Sequence, residues 1–169
     1  MSWSNKARAL AALCLALPLG GCFQPLYGEA AHPGLVEDLR AIAVTPIPDR
    51  VGHYLQDDLI SRLNGTGSTP APKYRLDIVY AQREQAPTVE SLINAPDAAT
   101  LIGVANFNLI KIDGAKNVIS GNATAFAVYD KTEQRFANLR ARRDAEIRVA
   151  RSLADEINQR LAAELANRR

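Results

Sequence analysis

Two long alternating segments around a tight turn constrain the fold of this chain more than any other feature. Residues 100–112 and 117–130 each have the pattern of an extended strand, and Asp113-Gly114 between them is a strong hairpin-turn pair. Between its ends, the second segment carries no charge on either of its two faces. Because strands that are buried on both faces lack charge, the pattern predicts a long β-hairpin with something covering both faces.

Three shorter patterns precede this hairpin. Residues 39–44 alternate and stop before a Thr-Pro pair, which predicts a first strand. Residues 50–64 predict an amphipathic helix, with Asp49 as a candidate N-cap. Its apolar stripe consists of Val51, Tyr54, Leu55, Leu59 and Leu63. Residues 74–80 alternate again and predict a second strand, with room to run on to Glu84.

The C-terminal part of the chain has a helical pattern. Apolar residues recur at spacings of three and four, which predicts a helix over residues 141–167, while residues 131–140 fit either a loop or an extension of that helix. The stripe consists of Ile147, Ala150, Leu153, Ala154, Ile157, Leu161 and Leu165. The resulting order is strand, helix, three strands and helix. It predicts an α+β two-layer sandwich, in which a four-stranded sheet carries both helices on one face.

The residues that carry chemistry do not form a catalytic pattern. His32 and His53 have no cysteine or second histidine at ligand spacing, so no metal site and no cofactor is expected. The sequence contains no nucleophile elbow and no phosphate-binding lysine loop. Asp57 and Asp58 are adjacent on a predicted helix, where neighbours diverge by about 100°. The sequence therefore predicts a protein that is not an enzyme.

Charge is distributed unevenly along the chain. Residues 22–130 contain 8 basic and 12 acidic residues, whereas residues 131–169 contain 10 basic and 6 acidic residues. This balance disfavours a nucleic-acid-binding protein, which would be basic throughout. The densest basic run consists of Arg140, Arg142, Arg143, Arg148 and Arg151. Such a run suits either contact with phosphate groups or the solvated face of a helix.

The N-terminus has the parts of a secretory signal peptide: a basic start, a short apolar core and small residues before a cleavage point. Residues 1–21 are expected to form this signal. Its ending, a leucine and two glycines before Cys22, is similar to the lipobox of bacterial lipoproteins. That resemblance implies thioether lipidation of Cys22, cleavage before it and acylation of the new amino terminus. The alternative is a plain signal peptide with a chance cysteine.

Two further expectations follow from this anchor. Phe23 stands where lipoproteins of the enterobacterial type carry an aspartate as an inner-membrane retention signal. The absence of an aspartate at this position implies export to the outer membrane, with the protein on the periplasmic side. Residues 22–37 are small and polar and are expected to form a lipidated tether, and residues 38–169 are expected to form a single α+β domain.

Around the expected cleavage point the chain contains Gly21-Cys22-Phe23-Gln24-Pro25-Leu26-Tyr27-Gly28, and later it contains Phe136-Ala137-Asn138-Leu139-Arg140 and Leu153-Ala154-Asp155-Glu156-Ile157. In these segments and in the order of its elements, it resembles the LPS-assembly lipoproteins, the LptE family, in their alphaproteobacterial form. The glycine that usually follows the cysteine in that family is absent here. The resemblance implies a subunit of the lipopolysaccharide translocon that plugs a large outer-membrane β-barrel, assists its assembly and can bind lipopolysaccharide.

Lipopolysaccharide carries phosphates, and lysine and arginine bind phosphates. Lys111 and Lys116 flank the hairpin turn, and we expect Arg83 to reach the same end of the sheet. The three residues are therefore a candidate lipopolysaccharide site, although lysines at a hairpin tip also serve to keep it soluble and to prevent edge pairing. The competing function is that of another periplasmic lipoprotein, such as a secretin pilot or a cell-wall-associated lipoprotein.

Overall fold

A computed structural model of the protein describes residues 33–65, 70–85, 97–132 and 134–168. It contains three helices and four strands in these ranges. In chain order they are α1 (Leu35–Arg40), β1 (Ile42–Val44), α2 (Asp49–Asn64), β2 (Tyr74–Gln85), β3 (Asp97–Lys111), β4 (Lys116–Lys131) and α3 (Arg135–Asn167). Within the described residues, no helix combines the length and the hydropathy needed to cross a membrane.

The four strands form one mixed sheet in the order β1-β2-β3-β4. β1 is parallel to β2, and the other neighbours are antiparallel. The predicted turn between β3 and β4 is a single 3₁₀ turn over Asp113–Ala115, in which Gly114 has a φ of 81°. Helix α3 packs along β3 and β4, and α2 packs against α3 and β1. The predicted α+β sandwich is confirmed.

One face of the sheet forms the core together with the helices. The buried side chains alternate along the strands; they include Leu76 and Ile78 of β2, Leu101, Ala105, Phe107 and Leu109 of β3, and Ile119, Ala123, Ala125 and Ala127 of β4. Glycines in the strands allow an aromatic ring and helix α3 to approach the sheet closely. A Cβ atom at Gly121 would lie 2.4 Å from the Phe107 ring, and one at Gly103 would lie 2.5 Å from a methyl group of Val149. The small-residue pattern of β4 therefore reflects close packing.

The start of the domain differs from the prediction. Residues 39 and 40 belong to α1, and the first strand is limited to Ile42–Val44. Leu35 and Leu39 are four residues apart and are both buried, so helical spacing decides the local structure rather than the alternation. The packed core thus includes Leu35, which lies within the predicted tether. The N-cap of α2 is Pro48, with no side-chain cap bond, and Asp49 has a φ of 71°.

The expectation that both faces of the hairpin are covered is wrong for the described residues. The face opposite the helices is open, with Phe126 72% exposed and Val128 49% exposed. Both long helices pack on the other side, and the neutral polar side chains of the open face bond to one another instead. Asn122 donates to Asn106 at 3.0 Å. No described part of the chain therefore covers this uncharged face.

Helix α3 begins at Arg135, six residues before the predicted start, which settles the ambiguous segment as mostly helix. The Asn138 side chain accepts a hydrogen bond from the Thr132 backbone N–H at 2.6 Å and donates one back to the Thr132 carbonyl. This bridge holds the chain at the helix start. The added turns place Phe136 and Leu139 on the surface, which is why the apolar stripe does not extend into them.

Candidate binding site: an arginine-lined groove beside the sheet

A cavity of about 850 Å³ opens where the first turn of α2, the first turns of α3 and the middle of β2 meet. Its walls come from segments that are far apart in the sequence. The lining residues are Asp49, Arg50, Val51, Tyr80, Ala81, Gln82, Phe136, Leu139, Arg140, Arg142, Arg143 and Glu146. Four arginines face two carboxylates in this list, so the groove has an excess of positive charge.

Glu146 of α3 organises one side of the groove. It is 1% exposed, and its Oε2 lies 2.7 Å from Nη2 of Arg50 on α2. Its Oε1 lies 3.5 Å from Nε of Arg142, which also approaches Glu84 of β2 at 3.9 Å. A buried charge is stable only when it is paired and hydrogen-bonded. The carboxylate therefore fixes two arginines at the rim of the groove.

Two groups near Glu146 have shifted ionisation. Burial, followed by the negative charge of Glu146, raises the pKa of Tyr80 to about 12. The hydrogen bond from Lys131 lowers the pKa of Glu84, against an opposing effect of burial. At neutral pH the groove therefore contains a protonated tyrosine, whose hydroxyl donates to Gln82 Oε1 at 2.9 Å, and an ionised Glu84 at its edge.

The other wall is both cationic and apolar. The Arg140 guanidinium lies 5.4 Å from the centre of the Phe136 ring, and Arg143 Nε donates to the Tyr54 hydroxyl at 3.0 Å. Among the described residues, no carboxylate is within ion-pair distance of Arg140 or Arg143. Phe136 and Leu139 beside them are 70% and 61% exposed. This wall can therefore receive an anionic group next to an apolar one.

The arginine run predicted from the sequence does not form one patch. Arg142 pairs with Glu146, and Arg148 pairs with Asp144 at 2.8 Å and donates to the Val128 carbonyl at 2.9 Å. Arg140, Arg142 and Arg143 line the groove, and of these three Arg140 and Arg143 have no carboxylate partner among the described residues. Sequence reasoning did not find the groove, because its walls come from three elements. The exposed Phe136 and Leu139, lying outside the apolar stripe, were the signal available.

The predicted lipopolysaccharide site is only partly brought together. Lys111 and Lys116 are directly opposite each other in the register, and both are exposed at the turn. They line a smaller cavity of about 290 Å³ together with Asp38, Tyr74, Val118, Leu165 and Arg168.

The expectation that Arg83 reaches this end of the sheet is wrong. Arg83 is opposite Ile102, nine residues along β2 from Tyr74, which is opposite Lys111. At about 3.3 Å per residue, Arg83 is about 30 Å from the lysines. The physical reason is the length of β2, whose far end continues past the groove while its near end meets the turn.

The remaining predicted positions are ordinary surface or lie outside the described residues. Asp58 pairs with Arg62 at 3.0 Å, and Asp57 lies 3.5 Å from His53, both on the outside of α2. In the described ranges, no group of three or more histidine, cysteine, aspartate or glutamate residues is placed to hold a metal ion. Cys22 lies outside the described residues.

No protein-family model and no curated protein matches the sequence, but solved structures share its fold. A candidate lipoprotein from Caulobacter crescentus superposes with a TM-score of 0.64 at 23% identity, over 82% of this chain and 98% of the other. Rare lipoprotein B from Shewanella oneidensis gives 0.54 at 15% identity, over 75% and 95%. A minor lipoprotein from Acinetobacter baumannii gives 0.52 at 16% identity, over 75% and 93%. The protein therefore has a fold found among bacterial lipoproteins.

Proposed function

We propose that this protein is an outer-membrane lipoprotein subunit of the lipopolysaccharide translocon, which plugs a large β-barrel, assists its assembly and binds lipopolysaccharide. The observation that carries the proposal is the fold shared with bacterial lipoproteins. The same chain has a predicted signal peptide followed directly by Cys22 in a lipobox-like sequence. The role is one of binding and assembly rather than catalysis. It requires a lipid anchor at Cys22 and a domain on the periplasmic side of the outer membrane.

The start of the domain supports this arrangement. Asp38 of α1 lies 3.0 Å from Lys73, and it lines the same small cavity as Lys111 and Lys116. The described chain therefore begins at the end of the sheet that carries the hairpin turn. From Cys22 to Pro33, the chain spans at most about 40 Å when fully extended. A lipid on Cys22 would keep the two lysines within reach of the membrane surface.

The open face of the sheet is suited to a barrel interior. Between Thr100 and Val128, the open face of β3 and β4 carries no charged side chain. Near the turn it presents asparagine and serine side chains that bond to one another. Asn117 donates to Ser120, and Ser120 donates to Asn108, both at 2.7 Å. The walls of barrel lumens are polar. A neutral, hydrogen-bonding face can pack against such a wall without burying a charge.

Reversing the charge of the two turn lysines is expected to weaken lipopolysaccharide binding. The double variant Lys111→Glu with Lys116→Glu should bind purified lipopolysaccharide at least tenfold more weakly, because each glutamate repels phosphate where a lysine attracted it. The affinity of the full chain should be measured at two salt concentrations, since exposed phosphate contacts are screened by salt. The barrel complex should still form.

The comparison variant for this experiment is Arg151→Glu, which reverses the charge of an exposed side chain on α3. It should bind lipopolysaccharide as the parent does. Equal affinity of the parent and the lysine double variant would rule out the turn as the site. A loss in Arg151→Glu alone would move the site to the arginines of α3.

A further inference from the structure

The two edges of the sheet differ in what lies against them. At the β4 edge, Arg148 and Arg160 of α3 donate to the Val128 and Asn122 carbonyls. At the other edge, β1 has only three residues and pairs with β2 only from Tyr74 to Leu76. β2 continues to Gln85, so among the described residues no strand lies against its outer edge beyond Leu76.

The backbone groups at this edge point outward in a regular series. The Leu76 carbonyl points outward, away from β3, and accepts a hydrogen bond from the Thr45 N–H at 3.0 Å. The backbone of a strand alternates sides residue by residue, so the following even-numbered residues present N–H and C=O in the same direction. They are Ile78, Tyr80, Gln82 and Glu84. The odd-numbered residues between them bond to β3. Four donors and four acceptors are therefore in position to pair with one more strand.

The groove lies directly beside this open edge. Tyr80, Ala81 and Gln82 of β2 form one of its walls. Across from them are Arg140 and Arg143, which have no carboxylate partner in the described ranges, next to the exposed side chains of Phe136 and Leu139. A strand added to β2 would place alternate side chains against this wall.

We propose that the outer edge of β2 binds an extended, acidic peptide segment of a partner protein, which adds a strand to the sheet. Main-chain hydrogen bonds to β2 would supply affinity, as in other cases of strand addition. Carboxylates of the segment would meet Arg140 and Arg143, and its apolar side chains would meet Phe136 and Leu139. The proposal goes beyond the function proposed above and does not depend on lipopolysaccharide.

The probe is a blocked nine-residue peptide with threonine at its even positions and glutamate and valine in turn at its odd positions, so that both types of side chain can lie on the face toward the groove. Its affinity for the full chain in detergent should be measured by fluorescence anisotropy, beside two matched peptides. One replaces glutamate with lysine, and the other carries N-methyl groups on alternate residues, which block strand pairing. We expect saturable binding of the acidic peptide, weakened at least tenfold in both matched peptides. Absence of saturable binding, or equal binding of the N-methylated peptide, would overturn the proposal.

Variants of the protein test the same contacts from the other side. Gln82→Pro removes an outward N–H at an edge position that tolerates proline, and should bind at least tenfold more weakly than Gln82→Ala, which also lacks the glutamine side chain but keeps the N–H. Arg140→Glu with Arg143→Glu should also weaken binding, and Arg151→Glu, outside the groove, should not. If Gln82→Pro fails to fold, the N-methylated peptide decides.

The edge has two other conceivable occupants, and the same samples distinguish them. Self-association of the parent that is abolished by Gln82→Pro, together with no peptide binding, would assign the edge to a second copy of the chain and overturn the proposal. Binding of anionic lipid vesicles that depends on Arg140 and Arg143, again with no peptide binding, would assign the groove to a lipid and overturn it as well.

Discussion

Replacing Leu161 with alanine is expected to lower the free energy of unfolding by about 2–5 kcal/mol, the range for large-to-small changes in a core. The Leu161 side chain is 0% exposed and lies on the stripe of α3 that faces the sheet and α2. Truncation removes buried methyl groups and leaves a cavity, because the neighbouring helix and strands are close-packed and can only partly relax.

The measurement is urea unfolding of the full chain with a matched variant on the same helix. Gln159 is exposed two residues away, so Gln159→Ala should change the free energy of unfolding by no more than about 0.5 kcal/mol. A urea midpoint of Leu161→Ala equal to that of the parent would show that the packing of α3 described above is wrong.

Replacing Cys22 with serine is expected to abolish lipid anchoring entirely. The thiol is the nucleophile that receives the diacylglyceryl group in a lipobox, and a hydroxyl cannot replace it. The expected product is an uncleaved or mislocalised precursor. Cys14→Ser is the matched control, because Cys14 lies in the apolar core of the predicted signal peptide and would be removed with it.

Mass spectrometry of the purified chain and membrane fractionation measure this outcome together. The parent and Cys14→Ser should both give a cleaved chain that starts at Cys22 and carries acyl groups. A mature, triacylated product from Cys22→Ser would contradict the lipobox assignment, and so would an unmodified cysteine in the parent.

The elements that were predicted well from the sequence have long, regular patterns. Helix α2 and the greater part of α3 follow an apolar stripe over several turns, and most residues of both stripes are buried. Tyr54 and Ile147 of the stripes are only half-buried. Helix α3 also buries residues outside its stripe, namely Ala145, Glu146, Val149, Asn158, Ala162 and Ala166. The hairpin was predicted because Asp113-Gly114 separates two alternating segments. In each case many residues specify the same period, so a single exception does not change the interpretation.

The errors come from short segments and from long-range geometry. Residues 35–40 are too few to show a period clearly, and only the burial of Leu35 and Leu39 together reveals the helix. Arg83 was placed at the wrong end because the local pattern of β2 does not state where β3 pairs with it. Register depends on contacts between distant residues.

The groove could not be predicted for the same reason. Its central ion pair joins Arg50 and Glu146, which are 96 residues apart. Each of them reads as an ordinary surface charge in its own helix. Only the packing of α2 against α3 buries Glu146 and brings four arginines to the edge of β2. These are Arg50, Arg140, Arg142 and Arg143. The individual charges are visible in the sequence, but their arrangement on one surface depends on the tertiary fold.

The two ends of the sheet are suited to different contacts. The hairpin turn, with Lys111 and Lys116, lies at the end of the sheet where the described chain begins. The arginine-lined groove is at the middle and far part of β2. A charge reversal at the turn and one in the groove should therefore act independently, since distant sites are additive.

Co-purification from detergent-solubilised outer membranes tests the central claim most directly. The full chain, with an affinity tag after Arg169, should be captured after mild solubilisation and its partners identified by mass spectrometry. The account predicts a large outer-membrane β-barrel protein in near-equal amount, retained in Lys111→Glu with Lys116→Glu. Recovery of a secretin would assign the protein to the pilot lipoproteins instead, and recovery of no barrel would contradict the translocon function.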